Sequence, residues 1–303
     1  MASERKHPPR WLVDGGLVLI TLIWGATFVM VKRALTDVST LLFLTIRFAA
    51  AALLLAFIFR KDFRSPNLTL SIRGGMLAGL CLFSGYIFQT AGLRYTSASK
   101  AAFITGFSAP MVAVLSSLVY RKAPRLAEAV GVVAAFVGMS LMTIAPGTLR
   151  IGWGDLLVLG GAVAYAFQIL VIGRFASQAN IGVLIATEIV TGAVMGGATF
   201  WWTEPVRIRW TLPLIVALAI TSLLATALAF SVQTWAQRWT SPTRTALIFA
   251  MEPVFAWITS YLLVGEVLSG RAAVGAVLIL TGILIVELKP FGRVASIQIS
   301  KNV

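Results

Sequence analysis

The sequence predicts an all-α membrane protein, with ten transmembrane helices arranged as two inverted five-helix repeats over residues 1–146 and 147–303. Three observations lead there. The 303 residues are 58% apolar and only 12% charged, with a mean hydropathy of +0.90, where a soluble globular chain carries about 25% charge. Ten apolar stretches have the length of about 20 residues that roughly 30 Å of hydrocarbon demands. The chain also matches itself at an offset of about 141 to 144 residues.

The first stretch, residues 15–31, follows Arg5, Lys6 and Arg10 and so resembles a secretory leader. Its 17 uncharged residues exceed the usual apolar region of about 7 to 15, and no small-residue cleavage site precedes Lys32-Arg33, so it reads as a retained helix. The second, 40–59, holds Arg47 and is closed by Arg60-Lys61-Asp62. The third, 74–93, opens on Gly74-Gly75, the fourth, 101–120, contains Pro110, and the fifth, 126–145, carries Gly131 and Gly138. The second half repeats this plan in 156–173 around Tyr165, 181–202 around Glu188, 211–235, 245–264 with Glu252-Pro253, and 271–288 with Gly275 and Gly282. Connectors such as Thr203-Glu204-Pro205 are short, and no room is left for a soluble domain.

The self-match is strongest where Phe88 to Ile104, FQTAGLRYTSASKAAFI, aligns with Val232 to Ile248, VQTWAQRWTSPTRTALI. Seven of the seventeen positions are identical, among them Gln89/Gln233, Arg94/Arg238 and Ser97/Ser241, and Lys100/Arg244 is a close pair. With small shifts the register extends to Asp14/Asp155, Trp24/Tyr165 and Pro110/Pro253. Because five is odd, the second unit crosses the membrane in the opposite sense to the first. Such repeats place a pseudo-twofold axis in the membrane plane, which lets one packing open to either side. Sixteen Lys and Arg fall on the side of the amino terminus and eight on the other, with Arg47 inside, so both termini are expected in the cytoplasm.

The formal charge of +14 on so apolar a chain points to lipid-facing loops, with no polar domain for nucleic acid. A lone cysteine, Cys81, and a lone histidine, His7, exclude a disulfide framework, a Cys-based metal cluster and an intramembrane His relay. No GxxxxGK[ST], GxGxxG or HExxH occurs, so neither a nucleotide-driven pump nor an intramembrane metalloprotease is expected. No catalytic residue, metal or cofactor is assigned. The expected partners are a small-molecule solute and the bilayer.

Trp24-Gly25-Ala26-Thr27-Phe28, the Arg47-Phe48 pair, Glu252-Pro253 and Gly265-Glu266 together resemble the EamA-type family of the drug/metabolite transporter superfamily. The resemblance covers about Leu12 to Leu288. One departure is that the first half has Lys122-Ala123 where the second has Gly265-Glu266. The resemblance implies an exporter or exchanger of small metabolites, such as amino acids, in the bacterial inner membrane. It also implies a central cavity lined by the first, third, fourth, sixth, eighth and ninth helices. A lipid-acting transferase and a channel are the alternatives.

Three charges lie inside apolar stretches: Arg47, Glu188 and Glu252. Each costs about 2.5 to 3.5 kcal/mol to insert near a helix centre, so each should face protein or a wet cavity. Arg47 and Glu188 occupy matched places but enter from opposite sides, which leaves them about 10 Å apart in depth and argues against an ion pair. Glu188 and Glu252 lie at comparable depth and would form a proton site if they shared a cavity. Otherwise Glu252, beside a helix-breaking proline, is the better functional acid.

Pro110 and Pro253 each remove a helical hydrogen bond, giving either fixed bends or a pair of gate hinges. Trp24 and Tyr165 sit near helix centres, away from the interfaces where such residues collect. Trp24 shares a helical face with Phe28, Tyr165 shares one with Gln168, and Tyr86 with Gln89 and Phe230 with Gln233 repeat the aromatic-plus-amide arrangement. Amides facing lipid would be unsatisfied, so they either line a solute cavity or join helices. The candidate substrate-binding set is therefore Trp24, Phe28, Tyr86, Gln89, Tyr165, Gln168, Gln233 and Glu252. The Gly131/Gly138 and Gly275/Gly282 stripes suit packing inside the chain or a homodimer surface.

Overall fold

The computed structural model describes residues 7–121, 126–143, 152–264 and 269–288. Among these residues the chain is all-helical, apart from one isolated antiparallel bridge between Val38 and Ile208. In chain order the helices are α1 (Arg10–Ala34), α2 (Thr40–Ile58), α3 (Leu68–Leu93), α4 (Ala98–Gly106), α5 (Ser108–Tyr120), α6 (Leu126–Thr143), α7 (Trp153–Phe175), α8 (Ile181–Thr203), α9 (Leu212–Ser222), α10 (Ala229–Gln237), α11 (Pro242–Phe249), α12 (Glu252–Val264) and α13 (Gly270–Leu288). Among the described residues, seven helical stretches are long and apolar enough to cross a membrane: Arg10–Ala34, Thr40–Ile58, Leu68–Leu93, Lys100–Val119, Trp153–Phe175, Ile181–Thr203 and Leu212–Gln237. Leu126–Leu141 and Gly270–Ile285 are apolar but shorter.

Three of the stretches read as single helices are divided. Proline at position i cannot donate to the carbonyl at i−4, and its ring crowds that carbonyl. Pro110 accordingly sits just after a break at Phe107, and Pro253 just after one at Ala250-Met251. The third break has no proline. Residues Leu223–Leu228 form a π-helical turn between α9 and α10. The helices also start earlier than hydropathy suggests, α1 at Arg10 and α3 at Leu68, because their polar first turns are helical too.

The duplicated motif performs the same local work in both halves. Ser97 Oγ caps α4 by accepting from the Lys100 backbone N–H, and Ser241 Oγ caps α11 by accepting from that of Arg244, both at 3.2 Å. Arg94 donates to Thr40 Oγ1 and to the Val38 carbonyl in the turn after α1. Arg238 donates to the carbonyls of Ala176 and Ala179, at 2.8 and 2.7 Å, in the turn after α7.

The most extensive helix pairings join the two halves: α3 with α7 and α8, α2 with α8, α6 with α13, and α1 with α12. Close approach is what makes the α6–α13 pairing possible. A Cβ on Gly138 would lie 2.4 Å from the Gly275 carbonyl oxygen, and one on Gly282 would lie 2.6 Å from that of Gly131. The two glycine stripes thus pack against each other within one chain. Phe43, Phe48 and Phe83 fill the interior, while Leu53, Leu118 and Leu262 point outward, as lipid-facing side chains do. Trp11, Trp153, Trp201, Trp202 and Trp210 are exposed near helix ends, where interfacial tryptophans collect.

Candidate functional site

Helix α1 presents Trp24, Thr27, Phe28 and Val31 on one face, as spacings of three and four dictate, and this face forms one wall of an interior cavity of about 80 Å³. Such a volume has room for several waters at about 10–15 Å³ each. The opposite walls come from Arg47 of α2, Tyr86, Gln89, Thr90 and Leu93 of α3, Thr105 and Ser108 at the α4–α5 break, Tyr165, Gln168 and Ile169 of α7, Phe230 and Gln233 of α10, Phe249 of α11 and Glu252 of α12. All eight residues of the candidate set, Trp24, Phe28, Tyr86, Gln89, Tyr165, Gln168, Gln233 and Glu252, therefore meet at one cavity. Gly25 lets α1 come close to α12 here, since a Cβ on it would lie 2.8 Å from the Glu252 carbonyl oxygen.

The π-helical turn organises one side. Trp24 Nε1 donates to the Ala225 carbonyl at 2.9 Å, and Arg47 Nη2 reaches the same oxygen at 3.3 Å. Arg47 Nε donates to Thr226 Oγ1 at 2.7 Å, and Thr226 Oγ1 in turn donates to the Thr221 carbonyl five residues back. Arg47 Nη2 also donates to the Tyr86 hydroxyl at 2.8 Å, and its guanidinium lies 4.3 Å from the centre of that ring. The guanidinium is thus held by neutral groups on a face open to the cavity. Its participation adds the second apolar stretch to the wall expected from the first, third, fourth, sixth, eighth and ninth.

Amides and tyrosines form a second network. Tyr165 Oη donates to Gln89 Oε1 at 3.0 Å, and Gln89 Nε2 donates to Thr105 Oγ1 at 2.8 Å. Gln233 Nε2 donates to Gln168 Oε1 and to Gln237 Oε1, both at 3.0 Å. Gln168 Nε2 passes the chain on to Glu188 Oε1 at 2.7 Å. Aromatic edges close the gaps, with Tyr86 and Tyr165 centroids 5.6 Å apart and Trp24 4.9 Å from Phe249.

The three buried charges separate in role. Arg47 and Glu188 form no ion pair with each other or with any described residue. Glu188 is fully buried behind Gln168 and off the cavity wall, and its Oε2 has no hydrogen-bond partner among the described residues. The two acids therefore do not share the cavity, and only Glu252 lines it. Glu252 is the first residue of α12, immediately after the break, and its carboxyl group makes no hydrogen bond or ion pair with a described residue. Sequence reasoning missed Thr27, Thr90, Thr105 and Ser108 on the wall. Thr27 and Thr90 follow from helical spacing beside Trp24 and Tyr86, whereas Thr105 and Ser108 depend on where the helix breaks.

The pattern of the EamA-like transporter family matches this sequence twice, over residues 12–144 and 152–288. The chain belongs to that family. It is 33% identical over 281 residues to an uncharacterized transporter of Archaeoglobus fulgidus, covering 92% of this chain and 87% of that one. It is 26% identical to the uncharacterized transporter YvbV of Bacillus subtilis, covering 90% of each. It is 23% identical to the uncharacterized inner membrane transporter YedA of Escherichia coli K12, covering 84% of each. One solved crystal structure superposes with a TM-score of 0.73 at 16% identity, covering 90% of this chain and 95% of its own, a likeness of fold alone. This EamA-family chain is a multi-pass membrane protein. Gly265-Glu266 and Lys122-Ala123, the site of the departure from the family pattern, lie outside the described residues.

Proposed function

We propose that the chain is a secondary transporter that carries a small zwitterionic metabolite, such as an amino acid, by alternating access. Its ten spans form two inverted five-helix repeats, residues 1–146 and 147–303, with both termini on the cytoplasmic side of a bacterial inner membrane and net movement outward or by exchange. The observation that carries this reading is a cavity whose wall holds one guanidinium, Arg47, and one carboxyl group, Glu252, with no acid bonded to the former and no base to the latter among the described residues. A solute with a carboxylate at one end and an ammonium at the other satisfies both. The aromatic and amide surfaces between them suit a short organic body. The double family match supports the two-repeat architecture, and the prolines beside both helix breaks suit hinges.

The test is counterflow of a panel of amino acids in proteoliposomes, comparing the parent with Glu252→Gln. Saturable exchange is expected for the parent. The neutral amide of the variant cannot pair with an ammonium group, and losing a charge-assisted contact of about 1.5 kcal/mol or more lowers exchange at least about tenfold while the protein stays monodisperse. Equal exchange by both proteins would remove Glu252 from the site, and flux that rises linearly with concentration would indicate a channel.

A further inference from the structure

Two ion pairs tie the halves of the chain together. Arg244 grips Asp14 with two hydrogen bonds, Nε to Oδ1 at 3.1 Å and Nη2 to Oδ2 at 2.7 Å. Lys100 Nζ meets Asp155 Oδ2 at 2.5 Å, and Asp155 also accepts from Thr96 Oγ1 at 2.7 Å and from the Gly152 backbone N–H at 2.8 Å. The sequence repeat equates Asp14 with Asp155 and Lys100 with Arg244. Each pair therefore joins an acid at the start of one repeat's first helix to a base on the other repeat's broken helix, and the pseudo-twofold operation exchanges the two pairs.

They stand at opposite ends of α1. Asp14 lies in its second turn, and Lys32, in its last turn, donates to the Thr96 carbonyl, next to the Lys100–Asp155 pair. Eighteen residues at about 1.5 Å each put the two pairs about 27 Å apart along that helix. Trp24 and Phe28, on the cavity wall, fall between them.

Each base is also coupled to the cavity. Lys100 and Arg244 occupy the first turns of α4 and α11, and the far ends of these half-helices supply Thr105 and Phe249 to the wall. A cation in a helix's first turn opposes the helix dipole, so Lys100 and Arg244 gain from their carboxylate partners what their own helices deny them.

We propose that Arg244–Asp14 and Lys100–Asp155 are the two latches of the cavity. Opening toward one side of the membrane breaks the pair at that end and keeps the other. With both pairs formed, the cavity between them has room for several waters. The latches are unequal. Arg244 and Asp14 are 9% and 17% exposed and meet through both carboxylate oxygens, whereas Lys100 is 34% exposed and meets a 7% exposed Asp155 through one. This inference rests on the alternating-access reading.

The experiment is sided labelling of a cavity cysteine, Ser108→Cys, in a Cys81→Ser background. The protein is placed in oriented proteoliposomes, with a membrane-impermeant maleimide as the probe. The side carrying Asp14 is identified separately with His7→Cys. Asp14→Asn is expected to raise labelling from the Asp14 side at least about fivefold, equivalent to about 1 kcal/mol, and Asp155→Asn to do so from the opposite side. The exchange Asp14→Arg with Arg244→Asp is expected to return labelling to the parent pattern. If an Asn variant fails to fold, Arg244→Gln or Lys100→Gln opens the same latch from its other half. No change in any variant, or both neutralisations favouring the same side, overturns the latch assignment. Labelling needs no transported solute, so its outcome is independent of the counterflow result. A parent labelled from one side only, without counterflow of any amino acid, would instead sink the transport reading.

Discussion

Replacing Gly138 with alanine tests the close pairing of α6 and α13, because the new Cβ has nowhere to go. It would stand 2.4 Å from the Gly275 carbonyl oxygen, 2.9 Å from Ile279 Cγ1 and 3.0 Å from Ile279 N. Two of these three neighbours are helix backbone, which cannot swing aside as a side chain can. Carbon–oxygen contacts between helices settle at about 3.3 Å or more, so the helices must part by about 0.9 Å at this point. Forced overpacking of this kind costs about 1–3 kcal/mol, of which alanine's better helix propensity returns up to about 1 kcal/mol. The net loss is roughly 1–2 kcal/mol, or about 2–8 °C in melting temperature. Gly197→Ala is the control, since a Cβ there meets nothing within 4 Å, and it should melt at or above the parent. Adding Gly282→Ala should cost less than it does alone, because helices already separated at one crossing accommodate the second methyl group. Tryptophan fluorescence melts of the purified variants in detergent measure all four. If Gly138→Ala melts as high as Gly197→Ala, the two stripes do not pack as described, and a surface between copies becomes their better use.

Arg47→Gln should lower folded yield and melting temperature, by roughly 2–4 kcal/mol for the loss of its bonds to Thr226, Tyr86 and the Ala225 carbonyl. Arg47→Lys should not restore them, because one ammonium cannot span the sites that Nε and Nη2 reach together, and parent-like melting of either variant would refute this account. Trp24→Ala and Tyr165→Ala should leave folded protein in the membrane and reduce counterflow. Normal transport by both removes them from the site, and a loss of yield alone assigns them to packing. A carboxy-terminal reporter should be active only in the cytoplasm, as sixteen basic residues against eight require; a periplasmic signal would invert the orientation.

What the sequence made legible follows from the strength of each physical signal. Hydrocarbon thickness is a demanding constraint, so runs of about 20 apolar residues located the helices to within about two turns. The prolines announced breaks but not their position, since a proline disturbs the carbonyl four residues earlier and the interruption appears at Phe107 and Ala250-Met251. The π-helical turn at Leu223–Leu228 was invisible. Its sequence, LLATAL, contains neither glycine nor proline, and the groups that engage it, Trp24 and Arg47, come from more than 170 residues away. The aromatic and amide residues that helical spacing singled out line one cavity, because all of them face away from lipid for the same reason. Depth along a helix correctly separated Arg47 from Glu188, but it says nothing about which neighbour stands in front of an acid. Only the proline beside Glu252 favoured it over Glu188; that Gln168 lies between Glu188 and the cavity emerges from the packing alone.

Matched positions behave differently in the frame and at the site. The Ser97 and Ser241 caps, the Arg94 and Arg238 clamps and the two aspartate–base pairs keep the same chemistry in both halves. On the wall Gln89 and Gln233 still match, but Arg47 corresponds to Glu188 behind the wall, and the break that presents Glu252 in α12 presents Ser108 in α5. A frame that must close equally well toward either side gains from being duplicated in inverted form, since each element then has a counterpart at the other end. A bound solute gains nothing from that symmetry, because a molecule with unlike ends needs unlike partners. Divergence at Arg47/Glu188 and Ser108/Glu252, beside caps, clamps and aspartate–base pairs that kept their counterparts, is what the transport of one asymmetric solute would produce.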